Sequence, residues 1–148
     1  MNIKYPFKLT PVEEGGFLIQ FVDLPEAYSE ADTEDEAFYM ATDVLNLSLE
    51  CRLENNEPIP EASDIDTKYK VMPSANIQSA LSIRNAKDAT RMSTADLARA
   101  MGVTWPVADK LTNPKHYPSL RQLEKAANAL GRRLVISQIG RASCRERV

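Results

Sequence analysis

Two sets of side chains in this chain could do chemistry, and they call for different partners. The first is acidic: Asp23, Asp32, Asp35 and Asp43 fall on or beside predicted strands and the helix that follows them. Paired carboxylates of this kind hold two cations in enzymes that hydrolyse phosphodiesters. Asp32, Asp35 and Glu36, however, cluster at a helix start, where acids complement the helix dipole without any catalytic duty. No base, nucleophile or metal cluster converges with them on one element, so neither an enzyme nor a cofactor or metal is expected. His116, the single histidine, has no second histidine or cysteine near it in sequence, which argues against a ligand or nucleophile role.

The second set lies in the stretch STADLARAMGVTWPVADKL, which starts at Ser93. Two short helical segments are separated by Gly102, with Ala98 at the close-packing position of the first and Val107 and Leu111 anchoring the second. A helix-turn-helix over residues 93–112 needs this spacing, because its second helix must cross the first and project its N-terminal residues into a major groove. Thr104, Trp105, Ala108, Asp109 and Lys110 are the expected outward residues of that recognition helix. Trp105 is suited to thymine methyls or sugars and Lys110 to a base edge or phosphate; the large apolar area of Trp105 suits a core equally well. Thr94, Asn113, Lys115, His116 and Tyr117 flank the helix and are expected to hold phosphates. A generic small helical bundle is the competing reading, since helix pairs with glycine turns are common.

The elements that must position these residues change character part-way along the chain. Ile3, Tyr5, Phe7 and Leu9 alternate with polar residues, the period of a half-buried strand, and Pro6 favours a sheet edge for it. After Glu14-Gly15-Gly16, a second strand carries Phe17, Ile19 and Phe21, and a third short one follows Leu24-Pro25 at about residues 27–31. Thr33 and Glu36 form a T-x-x-E capping box for a helix whose apolar positions run from Ala37 to Leu53 and include Cys51. Residues 55–67 are polar, with two prolines, and read as a loop or linker. A fourth strand over residues 68–72 ends at Pro73.

From Asn76 onward the pattern is helical. A first helix spans about 76–91, Ser93 and Asp96 cap the second, Thr104 caps the third with Pro106 in its first turn, and Ser119 with Gln122 caps the fourth, which Gly131 ends. A short strand is expected at residues 133–139, where it is one candidate dimer element. The fold class is therefore α+β: a β-β-β-α-β domain over residues 1–75 and an all-α helix-turn-helix domain over 76–139. The last nine residues, GRASCRERV, lack periodicity and read as vector-derived.

Charge divides the chain in the same place. The whole carries −3, but residues 1–75 hold five basic and sixteen acidic residues, a net −11, while 76–148 hold thirteen basic and five acidic, a net +8. Without the tail the second value is +6. A basic half suits a polyanion and an acidic half a basic protein, the bland alternative being two solvated surfaces. No apolar run reaches the roughly 20 residues that span a bilayer, and MNIKYPFKLT has no stretch of signal-peptide length, so a cytoplasmic protein is expected. Cys51 and Cys144 show no metal spacing, and Cys51 is expected in the core.

The stretch YPFKLTPVEEGGFLIQFVDLPEAYSEADTEDEAFYMATDVL, with its G-G turn, D-L-P segment and T-x-x-E-A helix start, resembles the N-terminal domain of HicB-type antitoxins. The region from MSTADLARAMGV to KAANALGRRLVIS is similar to the helix-turn-helix of one branch of that family. Together they cover nearly all of residues 3–138. The resemblance implies a partial RNase H-like N-terminal fold that has lost catalysis and covers HicA, a small basic mRNA-cleaving ribonuclease. It also implies a helix-turn-helix that dimerises and represses the toxin/antitoxin operon. Asp23, Glu26, Glu30, Asp32, Glu34 and Asp35 are then the expected toxin-facing acids. Glu26 departs from the family pattern, in which many members carry glycine after D-L-P. A stand-alone regulator whose first domain senses or oligomerises is the alternative.

Overall fold

In the computed structural model, which describes residues 1–139, the apolar alternation of the first segment becomes β1 (Tyr5–Pro11), hairpinned to β2 (Phe17–Phe21) and followed by β3 (Tyr28–Ala31). The helix α1 (Glu34–Glu54) comes next, then the two-residue strand β4 (Lys70–Val71). All pairings are antiparallel in the order β3-β2-β1-β4, with Phe7 opposite Phe21, Ile19 opposite Ser29 and Tyr5 opposite Val71. Gly16 is required at the hairpin: its φ is +82°, and a Cβ would stand 2.8 Å from the Ala31 carbonyl oxygen of β3.

β1 is thus an inner strand, and the edge position expected from Pro6 does not hold. The missing N–H costs little because Pro6 lies one residue past the register of β2, where its carbonyl still accepts from Val22 N at 3.1 Å. The next amide, Phe7 N, turns the other way and donates to Tyr69 O at 2.9 Å.

Helix α1 covers one face of this sheet. Ala37, Phe38, Ala41, Leu45 and Leu49 are buried with Tyr5, Phe7, Ile19 and Phe21. The Phe7 and Phe38 rings meet edge-on at 5.6 Å, a favoured aromatic geometry. The helix starts as its sequence requires, with Glu36 N donating to Thr33 Oγ1 at 3.1 Å and Glu36 Oε2 accepting from Asp32 N at 2.9 Å. Cys51, expected in the core, is exposed. Two residues beyond the buried Leu49, it lies roughly 160° round α1 from it and so faces away from the sheet.

Residues 55–67 form a loop tied down at several points. Tyr5 Oη donates to Pro60 O at 2.8 Å, Arg52 Nη1 donates to Pro58 O at 2.6 Å, and Asn2 bonds both Glu61 and Ala62. Burial, with Asp23 and Glu61 nearby, pushes the Tyr5 phenol up to about 12, so it remains a donor.

The chain divides into two units, one holding residues 1–52, 56–74 and Ile139, the other 53–55 and 75–138. The second contains α2 (Ala75–Thr90), α3 (Thr94–Met101), α4 (Trp105–Lys110) and α5 (Leu120–Ala129). Ile83, Leu97, Ala98, Met101, Ala108, Leu111, Ala126 and Leu130 make its core. No strand forms at 133–139 among the described residues. A strand needs a partner for its backbone groups, and this segment has none there, leaving Val135, Ile136 and Ile139 exposed. The expected vector-derived tail, 140–148, lies outside the described residues.

Candidate nucleic-acid interface and acidic surface

The helix-turn-helix is set by local chemistry at each joint. Ser93 and Asp96 form a reciprocal capping box, Asp96 N donating to Ser93 Oγ at 3.1 Å and Ser93 N to Asp96 Oδ2 at 3.0 Å. Both bonds to Ser93, with Arg99 adding to them, hold the Asp96 carboxyl below its ordinary range. Gly102 closes α3 in the left-handed region at φ 68°, where its N–H bonds the carbonyls of Ala98 and Arg99. Ser119 and Gln122 repeat the capping box at α5, both bonds at 3.1 Å.

Thr104 behaves differently. It stands at the N-cap of α4 with extended backbone but makes no side-chain cap bond. Its hydroxyl is therefore not committed to the helix. Trp105 is 52% exposed, which decides against the core reading, and Asp109 and Lys110 also face solvent. Ala108, expected among these outward residues, is instead 1% exposed, inside the core with Leu111. A six-residue helix completes fewer than two turns, so its pattern alone leaves the inward face undetermined.

The flanking residues separate into two groups. Lys110, His116 and Tyr117 line one shallow hollow with Val107, Pro118 and Gln122, and Tyr117 is 80% exposed. Asn113 is half-buried, its Oδ1 accepting from Lys115 N at 3.0 Å, so its side chain shapes the turn. Lys115 Nζ lies 2.8 Å from Glu54 Oε1. Thr94 Oγ1 accepts from Lys87 Nζ at 2.9 Å. Lys87 is a cation the helix-turn-helix pattern missed, because it comes from α2, one helix earlier in sequence.

The expected toxin-facing acids also divide. Asp23 accepts from Ser63 N at 2.8 Å and from the Ser63 hydroxyl, pinning the loop after α1. Glu26 accepts from Arg52 Nε at 2.6 Å and Nη2 at 3.1 Å and from Ser48 Oγ at 2.6 Å. The Arg52 bond is the chief reason that its carboxyl falls to about 2. Glu26 takes the place of the common glycine without strain, since positive φ outside glycine occurs only at Asn56 and Arg91 among the described residues. Glu34 pairs with Lys68 Nζ at 2.8 Å. Glu30, Asp32 and Asp35 are exposed. Among the described residues, no three His, Cys, Asp or Glu side chains form a group that could hold a metal. No helix there is long and apolar enough to cross a membrane.

With this geometry in view, comparison with known proteins decides the family. Residues 4–73 match the family described as "HicB_like antitoxin of bacterial toxin-antitoxin system", and residues 83–134 match a Cro/C1-type helix-turn-helix DNA-binding domain. Antitoxin HicB 1 of Photorhabdus laumondii is 34% identical over 92% of this chain and 87% of its own length. The chain belongs to the HicB antitoxin family. Antitoxin HicB of Escherichia coli K12 is 30% identical over 93% of this chain and its own full length, and that of Pseudomonas fluorescens 27% over 92% and 95%. Family membership thus spans both units, and the exposed face of α4 belongs to a DNA-binding domain.

Proposed function

We propose that this chain neutralises a HicA-type mRNA-cleaving toxin by direct binding through residues 1–75 and represses its own operon through the helix-turn-helix of residues 76–139. The observation that carries this reading is the joining, in one chain, of an antitoxin unit of net −11 to a basic Cro/C1-type unit whose recognition helix leaves Thr104, Trp105, Asp109 and Lys110 outward. An acidic surface suits a ribonuclease that itself binds RNA, because the antitoxin then presents the charge that the substrate would. The first unit acts by covering its partner and is not an enzyme, in keeping with a partial RNase H-like fold that has lost catalysis. The setting is the cytoplasm, where operator and mRNA both lie.

Trp105 and Lys110 reach bases or sugars, and Lys115, His116, Tyr117 and Thr94, the last with Lys87, hold the phosphates on either side. A homodimer presents two such helices to a two-fold operator. A mobility shift with DNA from upstream of the gene tests the reading. Wild type binds; Lys110→Ala with Lys115→Ala weakens binding and lowers the slope of log K against log salt by roughly 0.9 for each phosphate no longer neutralised. Unchanged binding by the double variant would remove the recognition-helix assignment. The adjoining reading frame should encode a small basic protein that forms a complex with this chain and sharpens the shift.

A further inference from the structure

Helix α1 carries two apolar stripes, and the sheet covers one of them. The second runs Met40, Val44, Leu47, Cys51, spaced i, i+4, i+7, i+11, the repeat by which one helix packs along another. At 1.5 Å per residue it is about 16 Å long. Met40 and Val44 are half-buried, Leu47 is 67% exposed and Cys51 is exposed. Asp43 and Glu50 border the stripe on its outward side, and among the described residues neither makes an ion pair. Arg52 is the only basic residue of α1, and it is turned to Glu26.

The border decides the occupant. A second copy laid along the stripe would set carboxylate against carboxylate, which is unfavourable. A helix with lysines or arginines beside an apolar seam meets no such penalty. The open face of the sheet also exposes apolar residues, Leu18, Val22 and Tyr28, but Lys8 and Glu30 share that face and select for neither sign. We propose that the Met40–Cys51 stripe of α1 is the surface on which a basic partner lays an amphipathic helix. This rests on the antitoxin reading above and names the face of the first unit that the toxin occupies.

The full chain carrying Cys144→Ser, titrated calorimetrically with the protein encoded by the adjoining reading frame, tests it. Leu47→Ser and the pair Asp43→Lys, Glu50→Lys should each weaken binding at least tenfold, whereas Leu18→Ser on the sheet face should change it less than threefold. Thermal unfolding of each variant checks that these exposed substitutions leave the fold intact. Alkylation of Cys51 by a maleimide should slow at least tenfold in the complex. If wild type binds while both α1 variants bind within threefold of it, or Cys51 stays equally reactive, the α1 surface is wrong and the antitoxin reading survives. If wild type does not bind that protein at all, the antitoxin reading fails and takes the surface with it.

Discussion

Glu26 lies at the point where three parts of the first unit meet: the turn after β2, the far end of α1 and the loop that follows. Its carboxylate joins Ser48 and Arg52, while Arg52 reaches on to Pro58 O. The folded carboxyl titrates at about 2, below its ordinary 4.5. Protonation therefore favours the unfolded chain, and the stabilisation present above pH 4.5 is lost as pH falls from there towards 2. The Glu26 side chain is 44% exposed, so solvent screening reduces the effect to roughly 1 kcal/mol. Denaturant titrations of wild type and Glu26→Gln should differ by about that amount at pH 7 and converge only as the pH approaches about 2. A constant difference across that range would show that the ion pair does not stabilise the fold. Charge composition marks Asp23 and Glu26 as acids for a partner. It does not report where a side chain points, and both are engaged within their own unit.

At the level of the element, α4 turns one residue inward and another outward within four positions. Ala108 packs in the core while Trp105 stands half outside it. Ala108→Glu would bury a carboxylate without a partner, at a cost of several kcal/mol, about 3 or more. It should abolish the cooperative melting of the second unit in calorimetry. Trp105→Ala removes mostly exposed surface and should change stability by less than about 1 kcal/mol. In the mobility shift it should lower operator affinity at least tenfold; full affinity with Trp105→Ala would mean that the indole does not touch DNA. The capping boxes at Ser93 and Ser119 were legible because every atom involved lies within four residues. Thr104 reads as an equally good cap, yet its side-chain bond does not form even though Val107, at the position that Ser93 and Ser119 use, keeps its N–H. The strand alternation in β1 and β2 was legible for the same local reason, whereas the inner position of β1 depends on β4, more than fifty residues later.

For the whole molecule, the decisive segment is 133–139. Leu134, Val135, Ile136 and Ile139 have strand-forming character, and three of the four are largely exposed in a single chain. Pairing this segment with its copy would satisfy backbone groups and cover those side chains, in keeping with the proposed dimer. Ending the chain after Arg132 should leave the second unit folded, shift sedimentation from dimer to monomer and weaken binding to a two-fold operator at least tenfold. A truncated chain that remains dimeric would place the dimer contact elsewhere.

By itself the sequence determined what short-range chemistry determines: strand and helix periods, the glycine turns, the capping boxes, the opposition of −11 and +8, and the motif order that marks the HicB family. Tertiary structure alone decided that Ala108 is inside and Trp105 outside, that Asp23 and Glu26 bond within their own unit, and that Leu47 and Cys51 of the second apolar stripe of α1 stand exposed. It also decided that 133–139 is no strand within one chain. The physical reason is common to all of these. Periodicity and capping are settled by neighbours a few residues away, whereas burial and partnership depend on surfaces that meet only once the whole chain has packed.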